Sequence, residues 1–392
     1  MKILYYYWGE NSAKDITDTF SELGHHVTIF KFPLANYLAD DRFSQALSSE
    51  LEKKGYDFIF TFNYFPVVSD TAEKHSIKYA CWVYDCPHFT LFSKSVSNSC
   101  NYIFLFDQNM VSQTLAAGAK NVFHLPLAAH TTRIGRQLNL SPESPQKPEK
   151  YLNEISFIGS LYENNMYDKI HFLPEELIGY LDGIMCMQKQ LWGIDLITSM
   201  MDKKLTSALS DYIKLERDQN MPDMDRLIFA DMLQTKITSD ERITAINLLT
   251  EFFPVALYSG SERSLCPKAD YRGYISYNDA MPYVFFQSKI NLNITLRSIA
   301  SGIPLRAIDI LSCGGFLLSN FQPELAENFD AGTDYIYYED FEDMLRKADY
   351  YLKHEREREE IARNGYVKIC QNLTYTKQIE KLISSITTNN KI

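Results

Sequence analysis

Short continuous apolar runs alternate with stretches of helical spacing over the first 130 residues. Lys2–Trp8, His26–Phe32, Asp57–Asn63, Lys78–Tyr84, Tyr102–Asp107 and Asn121–Leu127 read as six strands. Between them, Ser12–Leu23, Phe43–Lys54, Pro66–His75 and Met110–Ala117 have the spacing of helices, with Gly24, Gly55 and Gly118 as stops. A strand that is apolar on both faces belongs inside a sheet covered on both sides. Strands alternating with helices of this length predict a parallel sheet and a Rossmann-like domain.

The pattern breaks at Leu140–Lys150, where Pro142, Pro145 and Pro148 stand among Ser, Gln, Glu and Lys. That composition predicts a surface linker. A strand resumes at Ile155–Ser160, and residues from about 164 to 252 are helical in character without strand signals. Strand runs return at Val255–Tyr258, Tyr271–Ile275, Lys289–Ile294, Phe316–Ser319 and Tyr335–Tyr338, and amphipathic helices close the chain. The expected organisation is an α/β chain of two Rossmann-like domains: residues 1–140, a linker at 141–150, a second domain at 151–372 with a helical insertion at about 164–252, and a C-terminal helix and tail at 373–392. Ligands of open α/β sheets bind beyond the carboxyl ends of the strands. Two such domains are expected to face a central cleft holding the ligand.

Charge narrows the function. The 392 residues carry 39 Lys+Arg against 50 Asp+Glu, a net charge of −11. Nucleic-acid affinity rests on neutralising phosphates, so no nucleic-acid partner is expected. No apolar run reaches the ~18 residues of a membrane helix, and the opening Met1–Glu10 is too short and too soon charged for a secretion signal. Seven Cys at irregular spacing, with no CxxC pair, predict reduced thiols in a cytoplasmic protein rather than a zinc site or disulfides. His25–His26 lack a third ligand in view, and no Asp-x-Asp triplet stands in strand context, so no metal and no cofactor are expected.

The densest chemistry lies at Ser301-Gly-Ile-Pro-Leu-Arg-Ala-Ile-Asp309, followed by Ile-Leu-Ser-Cys-Gly314-Gly315 and an apolar run. It reads as a short helix entered through a Gly-Pro turn and left through a Gly pair. Gly302 lets a ligand approach the backbone, and Pro304 suits a first helical turn. The N–H groups at Ser301, Gly302 and Ile303 then face an anion such as a diphosphate. Arg306 adds a permanently charged planar donor, and Asp309 accepts hydrogen bonds from a vicinal diol.

This segment resembles the nucleotide-sugar site of GT-B glycosyltransferases, whose pattern is Glu-Gly, six positions, then Glu, Ala, Cys and Gly. Asp309 falls on the second acidic position, which in that family holds the ribose. Ser301 falls on the first, which is usually Glu. Arg306–Gly314 looks closest to the branch of CgeB-like spore-maturation proteins. Other landmarks of the resemblance are Phe157-Ile-Gly159-Ser160 at a strand end, Leu257–Ser261 with Tyr258 beside the base, Arg263 and Lys268 near the diphosphate, Tyr274 against the base, and Asn293 reaching the sugar.

In the first domain, Trp82-Val-Tyr-Asp85-Cys-Pro87 resembles a turn of the domains that accompany this branch. Asp85 just past a strand is a candidate base for an acceptor hydroxyl. Glu10 after the first strand and His88 are rivals, and His130 lies beside the linker. The resemblance implies a glycosyltransferase, hexosyltransferase-like and independent of metal, moving a sugar from a UDP-linked donor to a glycan, protein or small-molecule acceptor. A nucleotide-sugar 2-epimerase and a non-catalytic nucleotide-sugar-binding protein are the alternatives.

Overall fold

The computed structural model describes residues 1–53, 55–143, 147–216, 218–221 and 223–388. Part of the expected linker, residues 144–146, lies outside them, as do Lys54 and the last four residues of the expected tail. By their packing the residues fall into two units. One comprises 1–127, 209–227 and 375–392, the other 128–208 and 228–374.

The first unit holds β1 (Lys2–Tyr6), β2 (His26–Phe30), β3 (Phe58–Phe62), β4 (Lys78–Val83), β5 (Asn101–Leu105) and β6 (Val122–His124). Helices α1 (Ala13–Glu22), α2 (Asp41–Lys53), α3 (Pro66–Lys74) and α4 (Gln108–Ala116) connect them. The strands form one all-parallel sheet in the order β2-β1-β3-β4-β5-β6. Ile3, Leu4, Tyr5, Phe58, Ile59 and Phe60 are fully buried, as the continuous apolar runs require. Each such side chain contributes roughly 1.5–3 kcal/mol. β1 stops at Tyr6, earlier than its apolar run, which leaves Trp8 and Gly9 in the loop beyond the sheet.

In the second unit, α5 (Thr131–Leu138) precedes β7 (Asn153–Ile158). The sequence pattern did not mark α5, a short helix capped by His130, whose Nδ1 accepts from Arg133 N–H at 3.0 Å. The helical stretch resolves into α6 (Glu175–Lys189), α7 (Leu196–Met200), α8 (Lys203–Tyr212) and α9 (Met224–Thr250), of which residues 209–227, from within α8 to the start of α9, belong to the first unit. Then come β8 (Val255–Tyr258), β9 (Asp270–Tyr271), α10 (Met281–Phe286), β10 (Ser288–Asn293), α11 (Leu305–Ser312), β11 (Leu317–Asn320), α12 (Pro323–Asn328), β12 (Ile336–Tyr338), α13 (Phe341–Lys353) and α14 (Glu355–Asn372). β9 is shorter than its apolar run because it is an edge strand registered only against Ala256 and Leu257. α15 (Tyr375–Thr387) belongs to the first unit, where the Tyr375 ring lies 5.8 Å from that of Trp82.

The second sheet is also all parallel, in the order β12-β11-β10-β7-β8-β9. Its core joins Ile155, Phe157, Leu257, Ile290, Leu292 and Leu318 to Ala245, Ile246 and Leu249 of α9. That packing fixes α9 against the sheet and carries Arg242, one turn earlier, to the carboxyl ends of the strands. No helix among the described residues is long and apolar enough to cross a membrane, and none of the seven cysteines is joined in a disulfide.

Candidate functional site

The chain leaves β7 toward β8 and β9 on one side, then returns to build β10, β11 and β12 on the other. The sheet therefore has its topological switch point between β7 and β10, the place where open α/β sheets bind ligands. The loop at the end of β7 opens this crevice. Gly159 has φ +151°, a conformation that side chains rarely adopt. Tyr162 in the same loop has φ +56°. The loop is pinned by Ser261, whose Oγ accepts from Leu161 N–H at 2.9 Å. With the loop after β8 it encloses a cavity of about 520 Å³, lined in part by Gly159, Ser160, Tyr162, Tyr258 and Tyr274. That is within the usual range for small-molecule sites.

Two arginines converge beneath this loop. Arg306, from the first turn of α11, donates through Nε to Ile158 O at 2.7 Å and through Nη1 to Asn293 Oδ1 at 3.0 Å. Its Nη2 lies against Gly159, where a Cβ would collide with it. Arg242, from α9, donates through Nη1 to Ser160 O and through Nη2 to Ile294 O, both at 2.7 Å. The two guanidinium carbons lie 5.5 Å (Arg242) and 5.0 Å (Arg306) from the centre of the Phe157 ring. Neither forms an ion pair among the described residues; they face carbonyl and amide oxygens, and Arg242 also the Tyr162 side chain. Burial, and then the charge of Arg306, pull the Arg242 pKa down. Burial pulls Arg306 down too, opposed by Tyr162 and Asp309. Two like charges held together in a low-dielectric place favour an anion beside them.

α11 approaches the same crevice. Pro304 is its cap rather than its first helical residue, and its carbonyl accepts from Ala307 N–H at 2.9 Å. The N–H groups of Leu305 and Arg306 thus stand ahead of the intrahelical ladder. Gly302 and Ile303 are buried, so the accessible start of the helix lies two to three residues beyond the expected Ser301–Ile303 stretch. Asp309, 5% exposed, accepts from the Tyr277 hydroxyl at 3.0 Å. Ser301 Oγ donates to Glu324 Oε1 at 2.7 Å, and Glu324 N–H donates to Ser301 O at 3.0 Å. The position that resembles a lost carboxylate is thus bonded to a buried one from α12.

The remaining candidates separate. Asn293 is fully buried, donates to Thr295 Oγ1 and Ser319 Oγ, and accepts from Arg306. With both ends of its amide engaged it orients Arg306. Arg263 is exposed on a 3-10 turn and does not line the cavity. Lys268 pairs with Glu251 on the surface. Tyr274 lines the cavity and is 80% exposed, a ring available for stacking. In the first unit, Asp85 is exposed at the end of β4 and accepts from Asn63 Nδ2 at 2.6 Å. His88 Nε2 accepts from Tyr64 N–H at 3.0 Å and lies 2.8 Å from Thr90 Oγ1. Burial lowers the His88 pKa, and its Nε2 is engaged by neighbours in the same unit. Glu10 Oε2 accepts from the N–H groups of Trp8 and Gly9, each at 3.1 Å. Its Oε1 is buried without a partner, and burial raises its pKa. The sequence pattern did not mark Arg242, because it follows Asp240 and Glu241 in a polar turn that reads as a solvated helix face.

A family model described as glycosyl transferase-like matches residues 243–384. Among curated proteins none matches the chain in sequence. Solved structures share its fold over nearly its whole length. A glycosyltransferase from Rickettsia africae is 11% identical, with 99% of each chain covered and a TM-score of 0.57. The sucrose-phosphate synthase of Thermosynechococcus elongatus is 9% identical, covering 98% of this chain and 99% of its own, with a TM-score of 0.57. HepE of Anabaena, solved with UDP-glucose, is 10% identical with 99% of each chain covered and a TM-score of 0.52. The chain has the two-domain, Rossmann-like α/β fold of GT-B glycosyltransferases.

Proposed function

We propose that this protein is a GT-B glycosyltransferase that moves a sugar from a UDP-linked donor to a hydroxyl acceptor without a metal ion. One observation carries the reading: Arg242 and Arg306 meet beneath the β7 loop at the sheet's switch point with no carboxylate paired to either among the described residues. The family match over 243–384 and the shared fold with HepE, captured with UDP-glucose, support it.

The uridine fills the cavity beside Tyr258, with Tyr274 over the base, and Asp309 accepts from the ribose hydroxyls. The diphosphate lies across Gly159, where Arg306 Nη2 and the Leu305 and Arg306 N–H groups meet its oxygens. Arg242 sits one layer deeper and holds the loop by the Ser160 carbonyl. As the glycosidic bond breaks, charge grows on the departing diphosphate. Donors already aimed at that charge lower the barrier, each by about 3–4 kcal/mol.

The test is incubation with a panel of UDP-sugars and hydroxyl acceptors, with and without EDTA. Free UDP released together with a new glycoside, undiminished by EDTA, is expected. A new UDP-sugar without UDP release, or no turnover and no UDP binding, contradicts the proposal.

A further inference from the structure

The first unit carries an aromatic groove of its own beyond β1 and β2. Tyr7, Trp8, Lys31, Phe32 and Tyr37 line about 360 Å³ there. Trp8 is 43% and Tyr37 56% exposed, a costly presentation of large apolar rings to water. Both are held rigidly. The Trp8 indole donates to Phe62 O at 3.1 Å. Its ring lies 6.4 Å from Phe65 and that of Tyr37 5.5 Å, so one nearly buried ring buttresses both. The Glu10 carboxylate fixes the Trp8–Gly9 turn through two backbone hydrogen bonds. Lys31 lies 4.6 Å over the Tyr7 ring and forms no ion pair among the described residues.

We propose that this groove binds a pyranose ring of a saccharide acceptor. The inference rests on the glycosyltransferase reading and names its acceptor class. A pyranose has an apolar C–H face that lies on rigid rings and a rim of hydroxyls for the Lys31 ammonium. An acyl chain satisfies the rings but takes water from that ammonium without replacing its hydrogen bonds, which is unfavourable. A polyanionic acceptor is disfavoured by the net charge of −11. The groove sits beyond the carboxyl ends of β1 and β2, the end of a parallel sheet at which ligands bind, and the Trp8–Phe62 hydrogen bond ties its wall to the end of β3.

Saturation-transfer NMR on the full chain tests this, with methyl glycosides of glucose, galactose, mannose, N-acetylglucosamine and rhamnose, and hexanol as the apolar control. UDP binding is measured separately by calorimetry. Ring C–H signals of at least one glycoside are expected with the wild type. They should fall at least fivefold in the double variant Trp8→Ala/Tyr37→Ala and persist in Trp8→Phe, with UDP affinity within twofold throughout. No glycoside contact, contact surviving in the double variant, or transfer to hexanol alone overturns the saccharide groove and leaves the donor reading standing. Loss of UDP binding in the wild type overturns the donor reading instead.

Discussion

Arg306 Nη2 occupies the space that a side chain at Gly159 would need. The glycine and the guanidinium therefore form one device. The loop takes a conformation that side chains avoid, and the charge slides beneath it to the mouth of the crevice. Gly159→Ala should strain the loop by about 1–3 kcal/mol and displace Arg306. Calorimetry should show UDP affinity lower by at least tenfold, with a far-UV spectrum unchanged. Unaltered affinity would separate the loop from the nucleotide.

The two arginines should fail differently. Arg306→Lys keeps a charge but loses the planar fork that spans Ile158 O, Asn293 Oδ1 and the crevice. Removing a donor aimed at the developing oxyanion costs roughly 100- to 1,000-fold in kcat. Arg242→Met preserves apolar packing beside Phe157 and releases the Ser160 carbonyl. Its expected signature is a rise in KM for the UDP-sugar with a smaller fall in kcat, read from initial rates. Equal kinetic losses in the two variants would contradict the division of labour.

Asp309 is the group assigned to the ribose. A hydrogen bond to a charged group is worth about 1.5–3 kcal/mol, so Asp309→Asn should raise the UDP dissociation constant roughly tenfold or more. The same variant should bind 2′,3′-dideoxy-UDP as well as the wild type does, because the partner hydroxyls are already gone. A loss of equal size with both nucleotides would make Asp309 structural, acting through Tyr277.

The sheets and the α11 motif were legible because both faces of a parallel strand are buried and so spell continuous apolar runs. Ile155, Phe157 and Leu257 are such residues. Arg242 was not legible because its role arises from tertiary packing. It stands 64 positions from Arg306, since 306 − 242 = 64, on a helix buried over much of its surface. Asn293 misled for the opposite reason. A polar residue at a strand end reads as ligand-facing, yet its amide is consumed by Thr295, Ser319 and Arg306. The aromatic groove of the first unit depends on β1 ending two residues short of Trp8, a boundary that apolar periodicity does not set.

Stability should carry a mark of Asp231, on α9, whose pKa burial raises to about 6. The folded state then holds a proton that the unfolded chain releases from about pH 3.8 upward. Stability present at low pH is lost as pH rises through the window from 3.8 to about 6. Asp231→Asn should stabilise the protein by up to about 3 kcal/mol at pH 7.5 and leave it unchanged at pH 3.5. Urea titrations at the two pH values check this, and equal effects at both would refute it.

On the proposed function, the β7–α11 crevice of the second unit holds a nucleoside diphosphate. A crystal structure with bound UDP tests it most directly. Diphosphate oxygens are expected within hydrogen-bond distance of Arg306 Nη2 and the Leu305 and Arg306 N–H groups, with the ribose on Asp309. UDP seated away from Gly159 and Arg306, with both guanidinium groups untouched by phosphate, would contradict it.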